Sequence, residues 1–310
     1  MLRLEGVTKT YRVGAFGGRT LTAVDDVSFD LAPGEVVSLI GESGSGKTTL
    51  GKMVLGLLAP SSGSITLDGV PARPGKGYYR HVQGVFQDPF SCYNPVFKAD
   101  RVLRMLKEQY FPEVAADEWD GRIEESLEAV RLDPGQVLGR YPHQLSGGQL
   151  QRLLIARALL LDLRYLVADE ITSMLDASTR IDVLNLLADL KVRGLGVLFV
   201  THDLSLGNYI SERAVVLHRG RVVEAGPTEL VFGNPLHPYT IRLLSAVPRL
   251  TARWDGDPGA FDVSAPGDPG DPGAPAASGD DGTQGPTTLV EAEPGHLVRR
   301  DETASLRSTR

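Results

Sequence analysis

The stretch GESGSGKT, residues 41–48, fits the spacing G-x-x-x-x-G-K-[ST], and its residue types suit the holding of a polyphosphate. Its glycines let the backbone curl until several N–H groups face one anion, and a helix starting near Lys47 adds the partial positive charge of its N-terminus. Lys47 is placed to reach β- and γ-phosphates, and Thr48 to ligate Mg²⁺ through its hydroxyl. Gly41, Ser43, Gly44, Ser45, Gly46, Lys47, Thr48 and Thr49 form the candidate phosphate set. The alternative is a Gly/Ser-rich turn with a lysine in the helix behind it. A second stretch, ALLLDLRYLVADEITSMLD (158–176), sets Asp169 and Glu170 behind a short apolar run. Alone, that pattern is equally a strand leaving the core for a solvated turn. Beside a phosphate loop it acquires a chemistry: a neighbouring strand carries an acid at its C-terminal end, next to the phosphates. Asp169 would then hold Mg²⁺ through water, and Glu170 would be placed to polarise the water that attacks the γ-phosphate. Adjacent carboxylates are costly to ionise together without a cation, and Mg²⁺ with Lys47 would supply it.

The elements that must position these groups are legible around them. EVVSLI (35–40), YLVA (165–168) and VLFVT (197–201) are short, aliphatic and unalternating, as strands buried on both faces should be. TTLGKMVLGLL (48–58) carries Leu50, Met53, Val54, Leu57 and Leu58 at helical spacing. Ala214–Leu217 and Val222–Glu224, joined around His-Arg-Gly, read as a hairpin. Between Phe97 and Val130 the pattern turns helical and more charged, which predicts an inserted helical subdomain over roughly 90–160. Alternating strands and helices predict an α/β domain over residues 1–250. From 251 to 310 the composition shifts to Gly, Pro, Asp and Ala, and a mostly disordered tail is expected.

The chain has 310 residues, 23 % charged and 42 % hydrophobic, ordinary values for a soluble protein of one or two domains. It contains no apolar run long enough for a membrane helix, and MLRLEGVTKTYRV lacks a signal peptide's apolar core, so a cytosolic location is expected. Cys92 is the only cysteine, which excludes an internal disulfide and a cysteine metal cage; it reads as a small packing residue. Residues 251–310 hold 11 acids against 5 bases, so nearly all of the net charge of −7 sits there. Neither part has the basic excess of a nucleic-acid binder, and no nucleic-acid partner is expected.

LSGGQ (145–149) is a second helix start rich in exposed N–H groups: Ser146 can cap LQRLLIARALLL, with Gly147 and Gly148 at its opening. Together with the motifs above it resembles the ATP-binding subunit of ABC transporters, over about residues 2–250. The resemblance implies a P-loop NTPase core with an N-terminal antiparallel β subdomain and an inserted α-helical subdomain. It implies ATP and Mg²⁺ as cofactors, and a head-to-tail dimer with a second ATPase subunit. Ser146, Gly147, Gly148 and Gln149 of one chain would there face the phosphate loop of the other. By the same resemblance Tyr11 stacks on adenine, and Gln87 in VFQDP senses Mg²⁺ and γ-phosphate and contacts the membrane subunit. SMLD (173–176) communicates between subunits, and His202 in FVTHD contacts the γ-phosphate beside the catalytic Glu170.

NPLHPYT (234–240), with IRLLSAVP after it, resembles the segment following the core in oligopeptide and dipeptide importer ATPases, whose relatives also carry nickel or oligosaccharides; the segment is placed at 234–248. VEAEPGHLV (290–298) resembles the end of that group's chains and suggests that the tail docks again. Transmembrane permease subunits and, indirectly, an extracytoplasmic solute-binding protein are the implied partners, at the cytoplasmic face of the membrane. The sequence departs from the family where Ile171 replaces proline and Met174 replaces alanine, and it lacks the cysteine cluster many peptide-importer ATPases carry. An exporter motor, a soluble ABC ATPase and a low-activity regulatory ATP-binding subunit are the competing readings.

Overall fold

A computed structural model of the chain describes residues 1–13, 18–246 and 288–300. The described strands are β1 (Leu2–Val13), β2 (Arg19–Leu31), β3 (Val36–Ile40), β4 (Ser62–Leu67), β5 (Val70–Pro71), β6 (Val82–Val85), β7 (Tyr165–Asp169), β8 (Gly196–Thr201), β9 (Arg213–His218), β10 (Arg221–Pro227), β11 (Thr288–Glu293) and β12 (His296–Arg300). The helices are α1 (Lys47–Val54), α2 (Lys76–His81), α3 (Arg101–Tyr110), α4 (Ala116–Ala129), α5 (Pro134–Val137), α6 (Gly147–Leu159), α7 (Ala177–Val192), α8 (Leu204–Ile210), α9 (Thr228–Gly233) and α10 (Pro238–Ser245).

Two sheets carry the molecule. The first is antiparallel in the order β2-β1-β4-β5, and the second runs β11-β12-β10-β9-β3-β8-β7-β6. In the second, β9, β3, β8, β7 and β6 are mutually parallel, so their C-terminal ends share one rim. Every residue of β3, β7 and β8 is buried, which explains why these strands show no polar alternation. Helices α4 and α6 pack into one apolar cluster with α7 and β8 through Trp119, Ile123, Leu150, Leu154, Leu187 and Phe199. The helical insertion is therefore continuous with the core beneath the parallel sheet. Tyr239 of α10 and Val231 of α9 join a smaller cluster with Ile40, Val216 and Val223, at the side of the sheet where β9 and β10 lie.

Four local expectations resolve differently or more sharply. The helix expected over 48–58 stops at Val54, because Gly56 takes φ 67° and the Leu57 N–H returns to the Lys52 carbonyl at 2.9 Å, closing the last turn. The β9–β10 hairpin turns on Arg219 and Gly220, at φ 47° and 82°, the doubly left-handed turn that matches strand twist. Cys92 is exposed rather than packed, because the short 3₁₀ turn Phe90–Cys92 delivers Tyr93 to the core instead. The tail does return: β12 pairs with β10 at Glu224↔Val298 and Ala225↔Leu297, and β11 pairs with β12. The disorder expected for the Gly/Pro/Asp-rich stretch falls outside the described residues.

Candidate active site

The phosphate loop leaves the end of β3 and enters α1, and its glycines are there for reasons of space and dihedral. A Cβ on Gly41 would stand 2.2 Å from the Leu217 carbonyl oxygen, and one on Gly46 2.4 Å from that of Ala23. Gly44 and Gly46 also take φ 80° and 108°, the region glycine visits freely. Ser45 N–H donates to the Glu42 carbonyl at 3.1 Å and Leu50 N–H to Gly46 at 2.9 Å. Between them the N–H groups of Gly46, Lys47, Thr48 and Thr49 meet no acceptor among the described residues. The start of α1 has neither a side-chain cap nor an acid in its first turn. This is a helix start left open for an anion.

Lys47 is 5 % exposed, and its Nζ donates to the carbonyls of Gly41 at 2.6 Å and Glu42 at 2.9 Å. Burial lowers its pKa, while Glu170, Asp169 and Glu42 pull it back up. Asp169 ends β7, 7 % exposed, with Oδ1 buried and without a hydrogen-bond partner. Desolvation raises its pKa, and the Thr48 hydroxyl and Lys47 oppose the shift. A buried carboxylate with an orphaned oxygen beside a threonine hydroxyl suits a hard cation. No cluster of three His, Cys, Asp or Glu able to hold a metal exists among the described residues. Mg²⁺ needs only one or two protein oxygens beside phosphate oxygens and water, which Asp169 and Thr48 can offer.

Strand order carries one correction. β7 is not the neighbour of β3, because β8 lies between them. The acids still reach the loop, since parallel strands bring β3, β8 and β7 to a common rim. Glu170 sits just past that rim at φ 52°, its N–H donating to the Val200 carbonyl at 2.9 Å. Its own carbonyl accepts from Ser173 N at 3.1 Å and Ser173 Oγ at 2.9 Å. So anchored, Glu170 Oε1 lies 3.2 Å from Nδ1 of His202, the residue following β8. Arg180, in the first turn of α7, lines the same small cleft with Thr172, Ser173 and Asp203 and donates to the Leu175 carbonyl at 3.1 Å. No motif in the sequence marks Arg180.

The remaining candidates lie on other elements: α6, the loop after β6, and β1. Ser146 caps α6: its Oγ accepts the Gln149 N–H at 3.1 Å while Gln149 Oε1 accepts the Ser146 N–H at 2.8 Å. Gly148 lets α6 approach α7, where a Cβ would stand 2.4 Å from Thr179 Cγ2. No hydrogen bond or ion pair among the described residues links 145–149 to the phosphate loop. Gln87 is exposed in the loop after β6, and Gln151 of α6 donates to the adjacent Phe86 carbonyl at 3.3 Å. Tyr11 is 38 % exposed on β1, with Lys9 Nζ 5.5 Å from its ring. Ile171 is buried in the core and Met174 is exposed.

Comparison with known proteins agrees with this architecture. Residues 24–173 match the family described as ABC transporter, and residues 223–266 match the oligopeptide/dipeptide transporter C-terminal region. A Brucella ovis protein named as a candidate peptide import ATP-binding protein is 43 % identical over 254 residues, 80 % of this chain and 78 % of its own. A Brucella abortus protein of the same description is 42 % identical over 259 residues, 80 % and 77 % of the two chains. The fold superposes on a dimeric bacterial ABC transporter cassette with TM-score 0.65 and 31 % identity, over 74 % of this chain and 99 % of that one. The same cassette bound to ADP and Pi in a dimeric post-hydrolysis state superposes equally well. The chain belongs to the ABC transporter family of ATPases, in the branch that carries the oligopeptide/dipeptide C-terminal region.

Proposed function

We propose that the chain binds ATP with Mg²⁺, hydrolyses it, and thereby drives uptake of a peptide-like solute through separate membrane subunits. One observation supports this above the others: an open N–H cradle with a buried lysine stands beside an under-partnered Asp169 and a Glu170–His202 pair. The loop N–H groups and Lys47 would take the phosphates, Lys47 exchanging its two carbonyl contacts for phosphate oxygens. Thr48 and Asp169, with Gln87, would hold Mg²⁺, which supplies positive charge to the transferring phosphoryl group. Glu170 would accept the proton of the attacking water, and the His202 hydrogen bond would fix the direction of its carboxylate. Tyr11 would stack on the adenine.

The C-terminal region and the names of the relatives support import of a peptide-like solute over the exporter and soluble alternatives. A second ATPase subunit, the same chain or a related one, would present its residues 145–149 to this loop. Permease subunits would hold the pair at the cytoplasmic face of the membrane, with an extracytoplasmic binding protein acting through them. No helix among the described residues is long and apolar enough to cross a membrane. Lys47→Ala tests the nucleotide site. Calorimetry should show ATP affinity reduced by about ten- to a hundredfold, the worth of a charge-assisted hydrogen bond. Equal affinity in mutant and wild type would remove the phosphate-loop assignment.

A further inference from the structure

The segment that follows the nucleotide core reaches back into the phosphate loop. Tyr239, the second residue of α10 and 3 % exposed, accepts the backbone N–H of Glu42 on its hydroxyl at 3.0 Å. Glu42 directly follows Gly41, and the carbonyls of these two residues are the ones that hold Lys47. The Tyr239 ring lies against His218, with centroids 3.9 Å apart. His218 ends β9, next to the Leu217 carbonyl that leaves Gly41 no room for a side chain. A second tether comes from the same hairpin, where Gly220 N–H donates to the Ser45 carbonyl at 2.9 Å.

Tyr239 is itself held firmly. The Tyr239 N–H donates to His237 Nδ1 at 3.1 Å. The N–H groups of Leu236 and His237 donate to the two oxygens of Glu224, at 2.9 and 3.0 Å. Glu224 is fully buried and also meets His296 Nε2 of β12 at 2.7 Å, so the C-terminal hairpin bears on the same point. A chain of contacts thus runs from the hairpin through Glu224 and α10 to the first peptide of the phosphate loop.

We propose that Tyr239 is a positioning residue for nucleotide: its hydroxyl fixes the Gly41–Glu42 peptide, so that the loop has its binding shape before phosphate arrives. The inference rests on the nucleotide reading given above. With Glu42 N–H tied to Tyr239, the Gly41–Glu42 peptide keeps its orientation, and the free N–H groups at the start of α1 remain aligned. Without the hydroxyl the peptide can rotate, and the ordering of the loop is charged to the binding step. Tyr239 touches no reacting atom, so its loss should weaken ATP binding and raise KM while leaving kcat nearly unchanged.

Tyr239→Phe in the full chain isolates the hydroxyl, because the ring keeps its packing on His218. Calorimetric ATP titration should show Kd raised by about three- to tenfold, with KM following it and kcat within about twofold of wild type. The unfolding midpoint of the nucleotide-free protein checks that the fold is intact; a purely structural role would lower it without moving Kd. If Kd and KM match wild type while Lys47→Ala in the same assay loses ATP, Tyr239 only packs and the inference fails alone. A fall in kcat at constant KM also overturns it. If Lys47→Ala binds ATP as wild type does, the nucleotide reading falls first and takes this one with it.

Discussion

Glu170 is held in a conformation that a residue with a side chain seldom adopts. At φ 52° it carries of order 1 kcal/mol of backbone strain, maintained by the hydrogen bonds to Val200 and from Ser173. The strain breaks the strand's alternation just after Asp169, so two consecutive acids need not point to opposite faces. Asp169 stays buried at the loop, and Glu170 turns to meet His202. The division of labour proposed for the acids rests on their surroundings: burial raises the pKa of Asp169, whereas Glu170 has a histidine partner. Glu170→Gln keeps the size and the anchoring backbone but removes the proton acceptor. Turnover should fall by about a hundredfold, with ATP affinity preserved, as read from steady-state ATPase rates beside a binding isotherm. Near-wild-type turnover in the presence of the partner would take Glu170 out of the base role.

At the scale of elements, short-range patterns were readable and strand adjacency was not. The phosphate loop, the Ser146 cap and the Arg219–Gly220 turn are each set by residues within a few positions of one another, so residue type alone announces them. The end of α1 is hidden in the pattern because Leu57 and Leu58 continue the apolar stripe, while Gly56 stops the helix by its left-handed dihedral. The placement of β8 between β3 and β7 is a global choice with no local signature. The contact of Tyr239 with Glu42 joins residues 197 positions apart, and neither residue alone suggests it. Among the elements, α6 offers the cleanest test, because no hydrogen bond or ion pair among the described residues joins its start to this chain's own phosphate loop. Ser146→Arg should leave ATP binding to the isolated chain intact but abolish ATP-driven dimerisation and hydrolysis. Loss of the cap should lower stability by about 1 kcal/mol, so unfolding is measured alongside. If the folded mutant loses monomeric ATP affinity as severely as Lys47→Ala, both motifs serve one site within one chain and the head-to-tail arrangement is wrong.

At the scale of the whole molecule, the chain closes on itself through one buried acid–histidine contact. Glu224 and His296 are each 0 % exposed and join strands 72 positions apart. His296→Ala would leave Glu224 with only the Leu236 and His237 N–H groups, and unfolding free energy should fall by about 3 kcal/mol. Urea unfolding at fixed pH measures it, and an unchanged midpoint would show that the hairpin stays docked without the pair. What the hairpin covers gives that loss a further meaning. β10 has Val222 and Val223 buried, and without β12 its backbone at Glu224 and Ala225 would stand unpaired at the limit of the sheet. Such an edge is a template onto which another chain can add a strand. With the hairpin in place, the limit becomes β11: six residues, largely exposed, bearing Glu291 and Glu293 with an irregularity in pairing between them. Acidic, short and irregular edges resist strand addition. The returning tail should therefore also guard against self-association, and a chain deprived of its last strands should be lost to aggregation before it is lost to unfolding.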